Sequence, residues 1–179
     1  MGANVPARVF DGQVYRLITA AFLHANLTHL LSNIFSILII FSRLEACYSI
    51  LEVVLLYLVS AVSGNILSNL TSHSPYQVAV GASTAIMGFI GALISYLIIN
   101  WSSLSVLGSL RRGLTFTIVF LVFSSILYSM IITRSSVDVY GHIGGFVGGL
   151  FSSLLIFPPI NPRQSLIIKI IGTILTTGY

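Results

Sequence analysis

Apolar runs at residues 26–42, 48–69, 80–99, 114–133 and 139–157 dominate the chain, and short polar breaks separate them. Runs of this length, wound as helices, cross about 30 Å of hydrocarbon, so the pattern predicts five spanning helices. The breaks are Ser42-Arg43 with Glu45, Thr71 to Pro75, Asn100 through Arg111-Arg112-Gly113, and Thr133 to Ser136. Connections this short hold consecutive helices side by side, which makes residues 1–179 one all-α polytopic membrane domain. Its parts are an outer loop over 1–25, five spans within 26–157 and a tail over 158–179. Pro158, Pro159 and Pro162 stop the fifth span. Beyond them Ser165 to Leu175 is apolar but too short to span, and reads as an interfacial segment or the start of a further helix.

Composition supports the membrane assignment, because 56% of the residues are hydrophobic and only 7% are charged. A water-soluble domain of this size has no interior large enough to hide that much apolar surface. The net charge of +4 comes from eight basic residues scattered through the connections. They form no run that could grip a nucleic acid, and they report topology and lipid contact instead. Arg43, Arg111, Arg112, Arg163 and Lys169 fall on one side of an alternating five-span topology, with Arg8, Arg16 and Arg134 on the other. The richer side should be cytosolic, so the loop 1–25 and the entrances to the first, third and fifth spans face the outside or a lumen. The single cysteine, Cys47, has no partner in the chain for a disulfide and reads as a small buried residue. No basic stretch followed by an apolar core marks a cleavable leader at the N-terminus.

The third span carries small residues at Gly81, Ala85, Gly88 and Ala92, and the fifth at Gly141, Gly145, Gly148 and Ser152. Both sets follow i, i+4, i+7, i+11, a stripe along one helix face that lets backbones approach closely. Packing stripe on stripe would bring Ser83 and His142 to depths about 1.5 Å apart, one residue of helix rise. Serine needs a base to attack a carbonyl at neutral pH, and histidine has the pKa for that task. Gly81 stands just before the serine at a helix start, where amides without helical partners can face a developing oxyanion. The first span adds His29 and Asn33, four residues apart on one face, both able to donate. His24 precedes that helix, beside Asn26, in a position to brace the loop.

Other chemistries fit less well. Three histidines, His24, His29 and His142, invite a metal site, but no carboxylate is placed to complete it and no His-Glu-x-x-His occurs. The only aspartates, Asp11 and Asp138, do not lie deep in a span, and Asp138 fits the start of the fifth helix. A transporter or channel would want polar residues in line through the midplane, where these spans offer Glu52 and scattered Ser and Thr.

Three sequences resemble the signatures of the rhomboid family of intramembrane serine proteases: Gly-Ala-Ser-Thr at 81–84, His24-x4-His29-x3-Asn33, and Gly141-His142-Ile143-Gly144-Gly145. Gln13-Val14-Tyr15-Arg16-Leu17 also resembles the Trp-Arg motif of the family's first loop, with Tyr15 in place of tryptophan. The resemblance runs over roughly residues 10 to 157 in family order. It implies a Ser-His dyad that cuts transmembrane segments of membrane-anchored proteins, with Ser83 as nucleophile and His142 as general base. His29, Asn33 and the Ser83 amide would form the oxyanion hole; Arg16, His24, Gly81 and Gly145 would support the site, and no cofactor or metal is implied. The chain departs from the family at Thr84, where many members have glycine, and at Met87, where Tyr or Phe usually stacks on the histidine. The family core also has one more span before the loop where this chain begins, and Met1-Gly2-Ala3-Asn4 resembles the residues that follow it. A helix there would cover polar groups such as Arg16 and His24. The competing expectation is a non-catalytic rhomboid-like protein that binds transmembrane helices.

Overall fold

A computed structural model describes residues 2–128 and 137–156. Two short helices, α1 (Pro6–Phe10) and α2 (Arg16–Thr19), and a 3-10 turn at Ala20–Phe22 make up the first loop. The bundle follows: α3 (Leu27–Leu44), α4 (Ile50–Thr71), α5 (Ser83–Asn100), α6 (Gly108–Tyr128) and α7 (Val139–Ile156). The helices α3 to α6 are long and apolar enough to cross a membrane, and α7 is apolar over Val139–Leu155. Among the described residues the protein is therefore all-helical and a multi-pass membrane protein; four of the five expected spans meet this length and apolarity, and the apolar stretch of α7 is shorter. The tail over 158–179 lies outside the described residues.

Local chemistry sets the helix starts. Asn26 caps α3 by accepting from the His29 amide at 2.8 Å. Ser49 and Glu52 form a reciprocal capping box on α4, with the Glu52 carboxylate accepting from the Ser49 amide at 2.6 Å. Glu52 is thus a terminal cap and not a charge at the membrane midplane. One boundary differs from the hydropathy reading: α6 begins at Gly108, six residues before the apolar run, and includes Arg111 and Arg112. Arginine is a good helix former, and the Arg111 guanidinium lies 4.8 Å from the Trp101 ring centroid, so the polar break continues the helix.

Helix α5 is the axis of the bundle, and most of its residues are buried. At the end opposite Ser83, Ile40, Leu56, Phe89, Leu93 and Leu114 form the apolar core. Tyr48 closes it, its hydroxyl 2.9 Å from the Ala92 carbonyl and 3.0 Å from Ser153 Oγ. Burial pushes this phenol well above its usual pKa, so it stays neutral. Outer faces of α3 and α6 present Leu38, Phe116 and Phe123 to lipid.

Glycines set the spacing in the other half, and the stripes meet differently from the sequence pattern. A Cβ on Gly145 would strike the Thr84 carbonyl, and one on Gly149 the Gly88 carbonyl. Ser153 Oγ lies 3.3 Å from the Ala92 carbonyl. The face of α7 against α5 is therefore Gly145, Gly149 and Ser153, at strict i, i+4, i+8 spacing. Gly144 and Gly148 instead press on Ser63 of α4, whose hydroxyl donates to the Gly144 carbonyl at 3.0 Å. Gly141 meets α4 as well, its carbonyl against Gly64. Two helix partners, not one, explain why α7 carries so many glycines. Gly81 is also no part of a helical stripe, since it precedes α5 with φ +132°. Ser152 bonds back within its own helix, to the Gly148 carbonyl.

The first loop is tied to the entrance of α5. Asn4 and Ala79 exchange two backbone hydrogen bonds, at 3.0 and 2.9 Å, and the Ala7 amide donates to the Pro75 carbonyl at 2.8 Å. Beneath them Asn69 Nδ2 donates to Asn4 Oδ1 at 2.9 Å, and Asn65 Nδ2 to the Leu17 carbonyl at 2.8 Å. Asn65 thereby satisfies a backbone carbonyl, and Asn69 pairs with the buried Asn4 side chain.

Substituting Gly149 should expose this dependence on close approach. Forcing extra atoms into a packed core costs ~1–3 kcal/mol, and here the obstacle is backbone. Gly149→Val should therefore lower the melting temperature in detergent markedly, whereas Gly108→Ala, which meets only the flexible Arg112 side chain at 3.4 Å, should leave it within a degree or two. Equal melting of the two variants, followed by circular dichroism, would contradict the packing described.

Candidate active site

Each polar group of the candidate site is positioned by a helix start. The Asn26 cap places His29 in the first turn of α3 and Asn33 one turn deeper, on the same face. At the start of α5, Gly81 adopts φ +132°, a conformation that side chains rarely tolerate. Its amide donates to the Ala20 carbonyl at 3.0 Å. A Cβ at this position would lie 2.7 Å from His29 Cε1, 2.8 Å from His29 Nε2 and 3.5 Å from Asn33 Nδ2. Glycine therefore serves twice here, and His29 and Asn33 come to rest against the residue that leads into Ser83. The N-cap of α5 is Ala82, whose side chain cannot take an amide, so the first amides of the helix stay open toward the site.

Asp138 organises α7. Its Oδ1 accepts from the Gly141 amide at 2.8 Å and its carbonyl from the His142 amide at 3.0 Å. It acts as a helix cap, and no carboxylate among the described residues bonds the His142 ring. Gly145 lets α7 lie against the first turn of α5. Each α5 residue faces the α7 residue 61 positions further on, as Ala92 does Ser153. His142 is then two residues nearer the surface than Ser83, about 3 Å in rise, where the stripe alignment predicted one. His142 Nε2 lies 2.8 Å from Ser83 Oγ.

These groups open on one cavity of about 790 Å³, lined by His29, Asn33, Gly81, Ser83, Met87 and His142. It reaches between α3 and α6, where Ser32, Phe35, Ser36, Ser124 and Ser125 line it. The serines there are bonded to carbonyls of their own helices. Asn33 is different, because its Nδ2 is buried with no hydrogen-bond partner. An amide donor left unpaired at a cavity wall is costly unless something arrives to accept from it. Met87 lines the same cavity and packs on the apolar core.

The supporting residues divide. His24 does not line the cavity; its ring stands edge-on to His29 with centroids 5.3 Å apart, bracing that ring from behind. Its Nε2 is buried without a partner, and burial holds its pKa below the usual imidazole value. Arg16 also lies away from the cavity, and it is well partnered: Nε donates to Gln13 Oε1 at 2.8 Å and Nη1 to the Ala3 carbonyl at 2.9 Å. No cluster of three or more His, Cys, Asp or Glu suited to a metal ion occurs among the described residues.

Sequence reasoning passed over Asn65, which lines the cavity; Thr84, singled out there only for its departure from glycine, has a hydroxyl that is buried and unpaired. A signal was present for the first, since Asn65 and Asn69 share one face of an otherwise apolar helix. It also passed over Tyr57, whose hydroxyl donates to the Ala21 carbonyl at 2.8 Å and pins the loop below His24.

Comparison with known proteins agrees with this architecture. The rhomboid domain model matches residues 11–159. The chain is 35% identical over 173 residues to RHOMBOID-like protein 7 of Arabidopsis thaliana, covering 96% of this chain and 52% of that protein. It is 36% identical over 150 residues to Rhomboid-like protease 3 of Toxoplasma gondii, covering 84% and 54%. Rhomboid-like protease 1 of the same organism is 33% identical over 162 residues, 90% of this chain and 54% of the relative. The chain thus spans about half the length of the curated relatives it matches. The domain match over most of the chain establishes that it belongs to the rhomboid family.

Proposed function

We propose that this chain is a serine endopeptidase that cuts transmembrane segments of membrane-anchored proteins with Ser83 as nucleophile and His142 as general base. The observation that carries the proposal is the 2.8 Å approach of His142 Nε2 to Ser83 Oγ on the wall of a cavity that also holds an unpartnered Asn33 amide. In the resting state the imidazole is neutral, its Nε2 accepting from the serine hydroxyl and its proton on Nδ1. As Ser83 Oγ bonds to the substrate carbonyl carbon, its proton passes to Nε2. The carbonyl oxygen becomes an oxyanion, which accepts from Asn33 Nδ2, His29 and the Ser83 amide. His142 then gives its proton to the leaving nitrogen as the C–N bond breaks. A water, deprotonated by the same imidazole, hydrolyses the acyl-serine and restores the enzyme.

Substrates would enter from the bilayer between α3 and α6, where the cavity continues toward lipid. Scission needs an extended backbone at the serine, so segments with small residues near the membrane face and helix-weakening Gly or Pro below are favoured. Arg43, Arg111 and Arg112 stand at the helix ends opposite Ser83, which supports an outer or lumenal site.

Labelling by a fluorophosphonate tests the nucleophile. The reconstituted protein should be labelled at one residue, and Ser83→Ala and His142→Ala should each abolish the signal. Undiminished labelling of Ser83→Ala would refute the assignment.

Asn33 tests the oxyanion site. Loss of one donor from such a site removes ~2.7–4 kcal/mol of transition-state stabilisation, or about 10²–10³ in turnover. Asn33→Ala should show that loss on a transmembrane substrate with the melting temperature within a few degrees of the parent, because the donor has no partner to lose in the resting protein. Unchanged turnover with lowered stability would make Asn33 a packing residue. Tight binding of substrates without any cleavage, in detergent and in liposomes, would favour the non-catalytic client-binding alternative.

A further inference from the structure

A second concavity lies at the far end of the bundle, between α5 and α6. It is a groove of about 240 Å³ running from Ile94 on α5 to Trp101 at its C-cap, and from Thr115 to Val119 on α6. Its wall is apolar except for Thr115, whose hydroxyl is spent on the Arg111 carbonyl at 3.0 Å. Ile98, Val119 and Trp101 are exposed along it, so it opens to the hydrocarbon of the bilayer. Along α5 the groove is about 10 Å long, from seven residues of helix rise. At its polar end the Arg111 guanidinium lies over the Trp101 ring, at the start of α6 where chain and water meet.

We propose that this groove holds an anionic phospholipid, with an acyl chain between α5 and α6 and the phosphate on Arg111. A membrane groove without hydrogen-bonding groups suits a hydrocarbon chain, and a peptide segment would find nothing there to anchor it. The guanidinium supplies the selectivity, since it can bind a phosphate with two parallel donors while its face rests on the indole. Of the four carboxylate side chains, Asp11 and Asp138 lie at the Ser83 end and Glu52 is committed to its capping box, which leaves Glu45, at the C-cap of α3, as the acidic competitor at the Arg111 end. Basic residues beside interhelical grooves recognise anionic lipid in this way, whereas a zwitterionic headgroup gains less from the same charge.

Trp101 is the single tryptophan of the chain, which makes the groove directly observable. The protein is reconstituted in phosphatidylcholine vesicles containing either chain-brominated phosphatidylglycerol or chain-brominated phosphatidylcholine, and quenching of Trp101 fluorescence is followed against mole fraction. Phosphatidylglycerol should reach half-maximal quenching at a several-fold lower mole fraction than phosphatidylcholine. Arg111→Gln should bring the two curves together. Arg112→Gln should leave them apart, because that guanidinium folds back against Gly108 and not over the groove. Equal quenching by both lipids in the parent protein would overturn the proposal. So would equal loss of the difference in both arginine variants, the sign of a diffuse surface charge, or no quenching by either lipid, the sign of a groove closed by protein.

Discussion

Backbone-to-backbone approach at α7 is the constraint on which the rest of this molecule depends. Lipid is as apolar as leucine, so helices in a bilayer gain little by hiding hydrophobic surface from it, and dispersion at short range must hold them. Glycines at 145 and 149 seat α7 on the carbonyls of Thr84 and Gly88, while Gly144 and Gly148 seat it on Ser63 of α4. Wedged on two sides, α7 can neither rotate nor slide without a clash. That fixes His142 relative to Ser83 to within hydrogen-bond tolerance, although 59 residues separate them.

Polar groups are distributed to the same end. Asn4, Asn65 and Asn69 join the first loop to α4, and Ala20 and Ala79 join it to the lead into α5. Their hydrogen bonds are internal because no water is available below the membrane surface to replace them. Gly81, held by the Ala20 carbonyl on one side and the His29 ring on the other, transmits this order to Ser83. Several buried polar atoms stay without a partner, and of these Asn33 Nδ2 is an amide donor on the cavity wall beside Ser83.

Much of this was legible in the sequence. The apolar runs located the helices because crossing hydrocarbon demands length and composition that nothing else in the chain shares. The cap and face of α3 follow from Asn26, His29 and Asn33 by helical spacing alone. The glycine pattern was harder. A stripe tells that a helix is approached closely, but not by how many neighbours, so a seam against α5 and a seam against α4 merged into one apparent face. The register of α5 on α7 came out one residue off for the same reason, since Gly81 looked like the first member of a stripe when its real function is a backbone angle of +132°. Long-range polar ties such as Asn4 to Asn69 carry no local periodicity, and only the folded chain shows them.

The central claim, that glycine-set helix spacing creates the reactive serine, is tested most directly at a residue that touches no substrate. Gly149 lies seven residues below His142 on α7, about 10 Å away along the axis, and a methyl there meets the Gly88 carbonyl. The rate of fluorophosphonate labelling at Ser83 in Gly149→Ala, measured in liposomes with helicity checked by circular dichroism, should fall at least about tenfold, an effect of ~1.4 kcal/mol. Labelling at the parent rate in the folded variant would contradict the account, because the dyad would then be held by something other than the approach of α7 to α5.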